Sequence, residues 1–120
     1  MTDIVTATQL ASEKWKAAFN AGDAAGCAAC YEVDAVMVAK PFGTYNGRVE
    51  IEAFWANLIG DGFSDVDYIE PNLRALDDET AHLSAGWRMN KASGVITKEI
   101  WALQPDGSAL LREDHFEATA

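Results

Sequence analysis

Two carboxylates, Glu99 and Asp114, and a guanidinium, Arg88, stand in the C-terminal half of the chain among apolar and aromatic neighbours. Brought into one hollow, such a set does proton-transfer chemistry. A carboxyl packed against Trp101 and Phe116 has its charged form disfavoured, so its pKa rises toward neutrality and it serves as a general acid. A second carboxylate, held ionised by Arg88, serves as the base. Structural roles are open beside this one. Glu99 and Arg88 can form a cross-strand ion pair contributing up to about 1 kcal/mol, and Asp114 can accept hydrogen bonds from Trp55 or a helix end. Cys27 and Cys30 form a CxxC, but inside an alanine-rich helical stretch with no strand before it, where a redox pair would need one. A zinc site would need two more ligands, and His82 and His115 are distant and isolated. Buried core cysteines are expected. No nucleotide loop, triad or metal spacing is present, so neither a cofactor nor a metal is expected.

The bulk properties narrow the setting. A length of 120 residues suits one domain, 1–120, that buries a core without disulfides or metal. Nine basic against nineteen acidic residues give a net charge of −10, which repels phosphate backbones and anionic membranes, so no nucleic-acid and no membrane partner is expected. No apolar run approaches the roughly 18 residues of a membrane span. The opening Met1-Thr2-Asp3-Ile4 lacks the basic-then-apolar order of a signal peptide. A cytoplasmic location is the expectation.

The elements that must position the carboxylates follow from periodicity. Thr6-x-x-Gln9 reads as a capping box opening a first helix whose inner face is Ala11, Trp15, Ala18 and Phe19. Gly22 is a left-handed stop and Asp23 an N-cap for a short second helix. Residues 32–39 read as a first strand ended by Lys40-Pro41, and 42–47 as a loop. A third helix carries Ile51, Phe54, Trp55 and Leu58 at i, i+3, i+4, i+7. Four strands follow: 64–76, with Pro71 marking an edge or a bulge, then 80–90, 95–104 and 109–119, joined by turns as a meander. Helices first and strands afterwards argue for an α+β fold.

Five segments carry a resemblance. Trp15-x-x-Ala18-Phe19-Asn20-Ala21-Gly22-Asp23, then Tyr31-x-x-Asp34-Ala35, then Gly47-Arg48-x-x-Ile51-x-x-Phe54-Trp55, together with Lys98 to Leu103 and Asp114-His115-Phe116, resemble the SnoaL-like and ketosteroid-isomerase-like branch of the nuclear-transport-factor-2-like superfamily. The resemblance spans essentially the whole chain. It implies a cone-shaped (cystatin-like) α+β fold, three N-terminal helices packed on a curved antiparallel sheet around a pocket, usually in a homodimer. Steroid isomerases place a base aspartate before the proline that ends the first strand and a tyrosine in the first helix. Here Ala39-Lys40-Pro41 and Trp15 stand there, so steroid isomerisation is not expected. Glu99 falls at about the place of their neutral oxyanion-binding acid, a carboxyl kept protonated by its apolar surroundings.

Aligned in this way, strand alternation turns Thr97, Glu99, Trp101 and Leu103 into the pocket, with His82, Ser84, Gly86 and Arg88 on one neighbour and Arg112, Asp114 and Phe116 on the other. His82 then sits at the rim, Lys40 at a rim too, and His115 points outward. Trp15, Phe19, Tyr31, Met37, Phe54 and Trp55 either line the cavity, with Trp101 and Phe116, or fill the core outright. The stripe Ala81, Leu83, Ala85, Trp87, Met89 is the core face by alternation alone. The resemblance makes it the outer face, covered by a partner subunit in a homodimer, and the latter is the expectation. Two functions are consistent with this: a cofactor-independent isomerase, cyclase, dehydratase or hydrolase acting on a small, partly apolar molecule through Glu99, Asp114 and Arg88, or a non-catalytic ligand-binding or association domain.

Overall fold

Asp3 starts the first helix: its carboxylate accepts the Thr6 N–H at 2.8 Å and the Thr6 hydroxyl at 3.2 Å, satisfying a helix-start donor that has no partner within the helix. The expected cap at Thr6 is thus one turn late; Thr6 is the residue that reaches back. The computed structural model describes residues 3–120. Its elements are α1 (Ile4–Asn20), α2 (Ala24–Ala28), β1 (Tyr31–Lys40), β2 (Gly43–Asn46), α3 (Gly47–Gly60), β3 (Asp67–Ala75), β4 (Thr80–Arg88), β5 (Ser93–Leu103) and β6 (Ala109–Ala118). No described helix is long and apolar enough to cross a membrane.

Helix α1 buries Ile4, Thr8, Ser12, Trp15 and Phe19 on one stripe. Gly22 takes the left-handed conformation (φ 75°) that ends it, and Asp23 caps α2 by accepting the Gly26 N–H at 2.9 Å. Two expectations about order are corrected. Helix α3 follows β1 and β2, so the helices are not all N-terminal. The loop expected at 42–47 contains β2, which pairs antiparallel with β1.

The strands form one six-stranded sheet in the order β2-β1-β6-β5-β4-β3. It is mixed, because β1 runs parallel to β6; the meander β3 to β6 is antiparallel throughout. Pro71 lies in the edge strand β3, beside a register shift between Ile69 and Asn72, where the missing N–H costs the ladder nothing.

The face of β4 decides the site. Ala81, Leu83, Ala85 and Trp87 are buried and Arg88 is exposed, so the apolar stripe is the core face and the expectation that a partner subunit covers it fails. Register joins that stripe to the carboxylates: Ala81 stands opposite Trp101 and Leu83 opposite Glu99, and Glu99 stands opposite Asp114. The expected inward set was wrong on β4 because Glu99 stands directly opposite Leu83, which puts the odd-numbered residues of β4 on its face; on β5 itself strict alternation breaks down. Between the Leu83–Glu99 and Ala85–Ile96 pairs, β5 spends one residue more than β4. Such a bulge changes which parity faces inward, so Ile96 is buried beside Glu99 while Thr97 is exposed. A second irregularity, between Ile100 and Trp101 on β5, sits where Glu113 and Leu111 are the partners on β6. It leaves Arg112 exposed and bound to Glu32 at 2.7 Å instead of inside.

Gly94 is required where β4, β5 and β6 meet. A Cβ there would lie 1.9 Å from the Glu117 carbonyl oxygen and 2.6 Å from the Trp87 ring. The first contact is with backbone that cannot yield. Gly94→Ala is expected to destabilise the fold by about 2 kcal/mol or more, read as a lowered denaturant midpoint, and to perturb the environment of Trp87.

Candidate functional site

Between α1, α3 and the inner face of the sheet lies a cavity of about 170 Å³. That is close to the roughly 150 Å³ known to accommodate benzene in an engineered core, so it suits a single-ring molecule. Exposed Phe42, Lys91 and Ala120 and half-buried Phe63 stand at the mouth. Glu99 and Asp114, at 4% and 3% exposure, form its polar inner end.

An aromatic chain makes the wall. Trp15 meets Trp55 edge-on at 5.0 Å, Trp55 stacks on Phe116 at 5.7 Å, and Phe116 meets Trp87 edge-on at 6.2 Å. Of the expected substrate-binding residues, Trp15, Phe54, Trp55 and Phe116 face the cavity. Phe19, Tyr31, Met37 and Trp101 are fully buried behind it: Phe19 stacks on Trp15 at 5.4 Å, and Tyr31 and Trp101 serve the carboxyls. His82 is not at a rim. It lies half-buried on the outer face of the sheet, opposite Arg74 and Ile100, where burial and the nearby cations hold its pKa below the usual value. His115 also faces outward, 3.3 Å from Glu113. Lys40 is exposed at the end of β1.

The two carboxyls meet; the guanidinium does not join them. Arg88 lies on the outer face, opposite Asp67, and among the described residues neither Glu99 nor Asp114 has a salt-bridge partner. Neutral donors replace the cation. The Tyr31 hydroxyl donates to Asp114 Oδ2 at 2.7 Å and itself accepts the Trp55 indole N–H at 3.3 Å. The Trp101 indole N–H donates to Glu99 Oε1 at 2.9 Å. Arg48, in the first turn of α3, donates to the Tyr31 carbonyl oxygen and ties that strand end to the helix bearing Trp55. Asp114 Oδ1 has no partner.

Burial sets the protonation. It drives the Glu99 pKa well above the usual carboxylate range, the Asp114 charge adds to this, and the Trp101 bond opposes it. Burial also raises Asp114, to about 6, against the lowering effect of Tyr31. Tyr31 is raised well above its ordinary value by burial and then by Asp114, so it remains a donor. Both carboxyls hold their protons more tightly than in water, Glu99 the more so because the Asp114 charge acts on it, as facing carboxyls in a low-dielectric site do.

Trp87, Tyr68 and Ile96 also line the cavity, and the sequence reading does not place them in the site. Trp87 belongs to the apolar stripe of β4, whose period alone points inward. Cys27 and Cys30 are buried free thiols, Cys27 pushed up to about 12 by burial and by its neighbour Cys30, which removes thiolate reactivity. Among the described residues no cluster of three or more His, Cys, Asp or Glu side chains is placed to hold a metal.

The raised Asp114 pKa has a sign in stability. The native state binds this proton more tightly than an unfolded chain, whose carboxyl titrates near the ordinary value of 3.8. The stabilisation is therefore complete below about pH 4 and is lost as pH rises through about 6, a change on the order of 2–3 kcal/mol. Denaturant unfolding between pH 4 and 7 should show a steeper fall of stability in wild type than in Asp114→Asn, the slope that remains in the variant belonging to Glu99, whose pKa is also raised by burial. Tyr31→Phe removes the charge-assisted bond to Asp114; a loss of about 1.5–3 kcal/mol at pH 7 is expected, shrinking toward pH 4, as calorimetry across that range would record.

Comparison with known proteins agrees with this architecture. The SnoaL-like domain matches residues 12–96. Among solved structures, the chain is similar to a ketosteroid isomerase-like protein from Erwinia carotovora atroseptica, at 14% identity and a TM-score of 0.81 over 97% of this chain and 96% of that one. It is similar to a putative calcium/calmodulin-dependent protein kinase II association domain from Xanthomonas campestris, at 17% identity and a TM-score of 0.80 over 93% and 85%. ActVI-ORFA from Streptomyces coelicolor has 16% identity and a TM-score of 0.78 over 93% and 94%. No curated protein matches the chain by sequence.

Proposed function

Because the chain belongs to the SnoaL-like domain family, whose fold serves unrelated chemistries, we propose from the site itself that it catalyses cofactor-independent proton transfer on a small, partly apolar molecule, as an isomerase, cyclase, dehydratase or hydrolase. Asp114 is the base and protonated Glu99 the acid. The observation that carries this reading is the unpartnered Asp114 Oδ1 of a carboxylate that borders the cavity and faces a second carboxyl across one strand pair.

The two roles follow from protonation state. Above about pH 6 Asp114 is ionised, its Oδ2 is held by Tyr31, and Oδ1, which makes no hydrogen bond, takes a proton from a carbon or hydroxyl of the substrate once the cavity wall yields to admit it. Glu99 keeps its proton to higher pH and, with Oε1 occupied by Trp101, offers its remaining oxygen as hydrogen-bond donor to the oxygen on which negative charge develops. Returning the proton at a second position isomerises the substrate; giving it to a departing oxygen dehydrates or opens it. Arg88 has no part in this scheme. A cavity of about 170 Å³, open at its mouth, holds about one ring of the substrate.

A non-catalytic ligand-binding or association domain is the second reading, favoured by the likeness to an association domain and by half-buried Val36, Val38 and Ile100 on the outer face of the sheet, through which a homodimer would form. The test separates the two. Wild-type protein incubated in deuterated water with a panel of small cyclic ketones should accelerate exchange at the carbon beside the carbonyl, followed by proton NMR. Asp114→Asn should lower kcat/KM by about 10²–10⁴-fold, and Glu99→Gln should lower it less. The wild-type rate should rise with pH through about 6, as Asp114 ionises, and fall at higher pH as Glu99 loses its proton. Exchange that is equal in wild type and Asp114→Asn removes the catalytic reading.

A further inference from the structure

Charged side chains stand only at the two ends of the cavity: Glu99 and Asp114 inside, and Lys91 at the mouth. Lys91 belongs to the tip that joins β4 to β5, and that tip is fixed to the loop after α3. The Met89 N–H closes the turn on the Ala92 carbonyl at 2.9 Å, and the Asn90 N–H donates to the Ser64 carbonyl at 3.0 Å. The Asn90 side chain accepts the Ser64 N–H at 3.0 Å and donates to the Gly62 carbonyl at 2.8 Å. Across the same seam the Lys91 ammonium donates to the Asp61 carbonyl oxygen at 2.9 Å and stands 5.5 Å from the centre of the Phe63 ring. A Cβ on Gly62 would lie 2.9 Å from Nζ, so the glycine leaves room for the ammonium. Lys91 is exposed, yet its charge is held in place at the rim.

An ammonium carries three donors, and the Asp61 carbonyl takes one of them. Among the described residues no carboxylate pairs with Lys91, whereas Lys16, Lys98 and Arg112 each bind one, in a chain where acidic residues outnumber basic ones nineteen to nine. A fixed cation with donors to spare, beside an apolar opening, is the complement of an anion. The cavity holds about one ring, so the rest of a larger ligand leaves by the mouth, past Lys91. We propose that Lys91 determines specificity, and that the ligand is a ring set against the carboxyls and bearing a carboxylate on a short arm that reaches the Lys91 ammonium. A monoanion fits better than a dianion such as a phosphate ester, because one ammonium neutralises one charge and the −10 of the chain opposes the second. The inference rests on the proton-transfer reading only for the orientation of the ring, with its reacting end toward Glu99 and Asp114.

The probes are (4-oxocyclohexyl)acetate and its methyl ester, alike in ring and arm and different in charge, in an NMR titration of nitrogen-15-labelled protein at pH 7 and low salt. Wild type should bind the acid more tightly than the ester, and the acid alone should move the Gly62 and Lys91 amide resonances. Lys91→Met should lower the ratio of acid to ester affinity about two- to fivefold, the size of a half-exposed ion pair, and Lys91→Glu should lower it further. Adding salt to 0.5 M should bring the wild-type ratio toward that of Lys91→Met. Lys14→Met removes the same charge away from the cavity wall and should leave the ratio unchanged. An equal ratio in wild type and Lys91→Met, an ester bound as tightly as the acid by wild type, or no binding of the acid at millimolar concentration would overturn the assignment. Were Lys91→Met to fail to fold, the wild-type amide shifts and their loss in salt decide alone. Deuterium exchange is read in the same samples. A preference for the acid that Lys91→Met loses, without exchange, overturns the proton-transfer reading and leaves this one standing; exchange with no preference for the acid does the reverse.

Discussion

Two carboxyl groups facing each other inside an aromatic core are the constraint around which this molecule is arranged. Burying one ionised carboxylate costs several kcal/mol after relaxation, and burying two side by side is prohibitive. Burial therefore raises both carboxyls, Glu99 the further because the Asp114 charge acts on it, and the short hydrogen bond from Tyr31 favours the charge on Asp114. The surrounding structure serves that arrangement. Tyr31 opens β1, Arg48 fixes its carbonyl to the start of α3, and α3 delivers Trp55 to the Tyr31 hydroxyl. Three elements distant in sequence converge on one oxygen atom, a network whose members strengthen one another in a low dielectric.

The sheet achieves the meeting by departing from regular alternation. On β5, Ile96 and Glu99 both face the interior although they differ in parity, and on β6 Leu111 and Asp114 do the same. Each bulge costs ladder pairing locally and re-aims the side chains beyond it. Without them Glu99 or Ile96 would face solvent, and the cavity would lose either its acid or part of its apolar wall. The parallel β1–β6 pairing has a comparable effect: it sets Met37 opposite Asp114 and Ala39 opposite Phe116, closing the sheet beneath the carboxyl with residues that offer it no competing donor beyond Tyr31.

Similarity at 14–17% identity to proteins bearing such different descriptions marks the fold as a container and leaves function to the lining. In this chain the lining is unusual in what it leaves unpaired. Arginine and lysine are absent from the inner end, and tyrosine and tryptophan do the hydrogen bonding. Donors of that kind are uncharged and fixed by packing, so they tune the carboxyls without neutralising them.

Local patterns in the sequence determined much of this. The helical stripes of α1 and α3, the turn residues Gly22 and Asp23, the edge position of the Pro71 strand and the inward stripe of β4 all rest on contacts within a few residues, where 3.6- and 2-residue periods apply. The carboxyls Glu99 and Asp114 were legible as a pair for the same reason, with the added help of family resemblance. The face of Arg88 and His82 also followed from alternation, and the alignment by resemblance reversed it; what local rules could not supply was the burial of Ile96 in place of Thr97, the departure of Arg112 to Glu32, and Tyr31 as the partner of Asp114, 83 positions away. A bulge is decided by the strand across the ladder, and a hydrogen bond between β1 and β6 by a pairing that only the folded sheet creates. Those choices belong to tertiary structure because their energy is spread over residues that are neighbours in space and strangers along the chain.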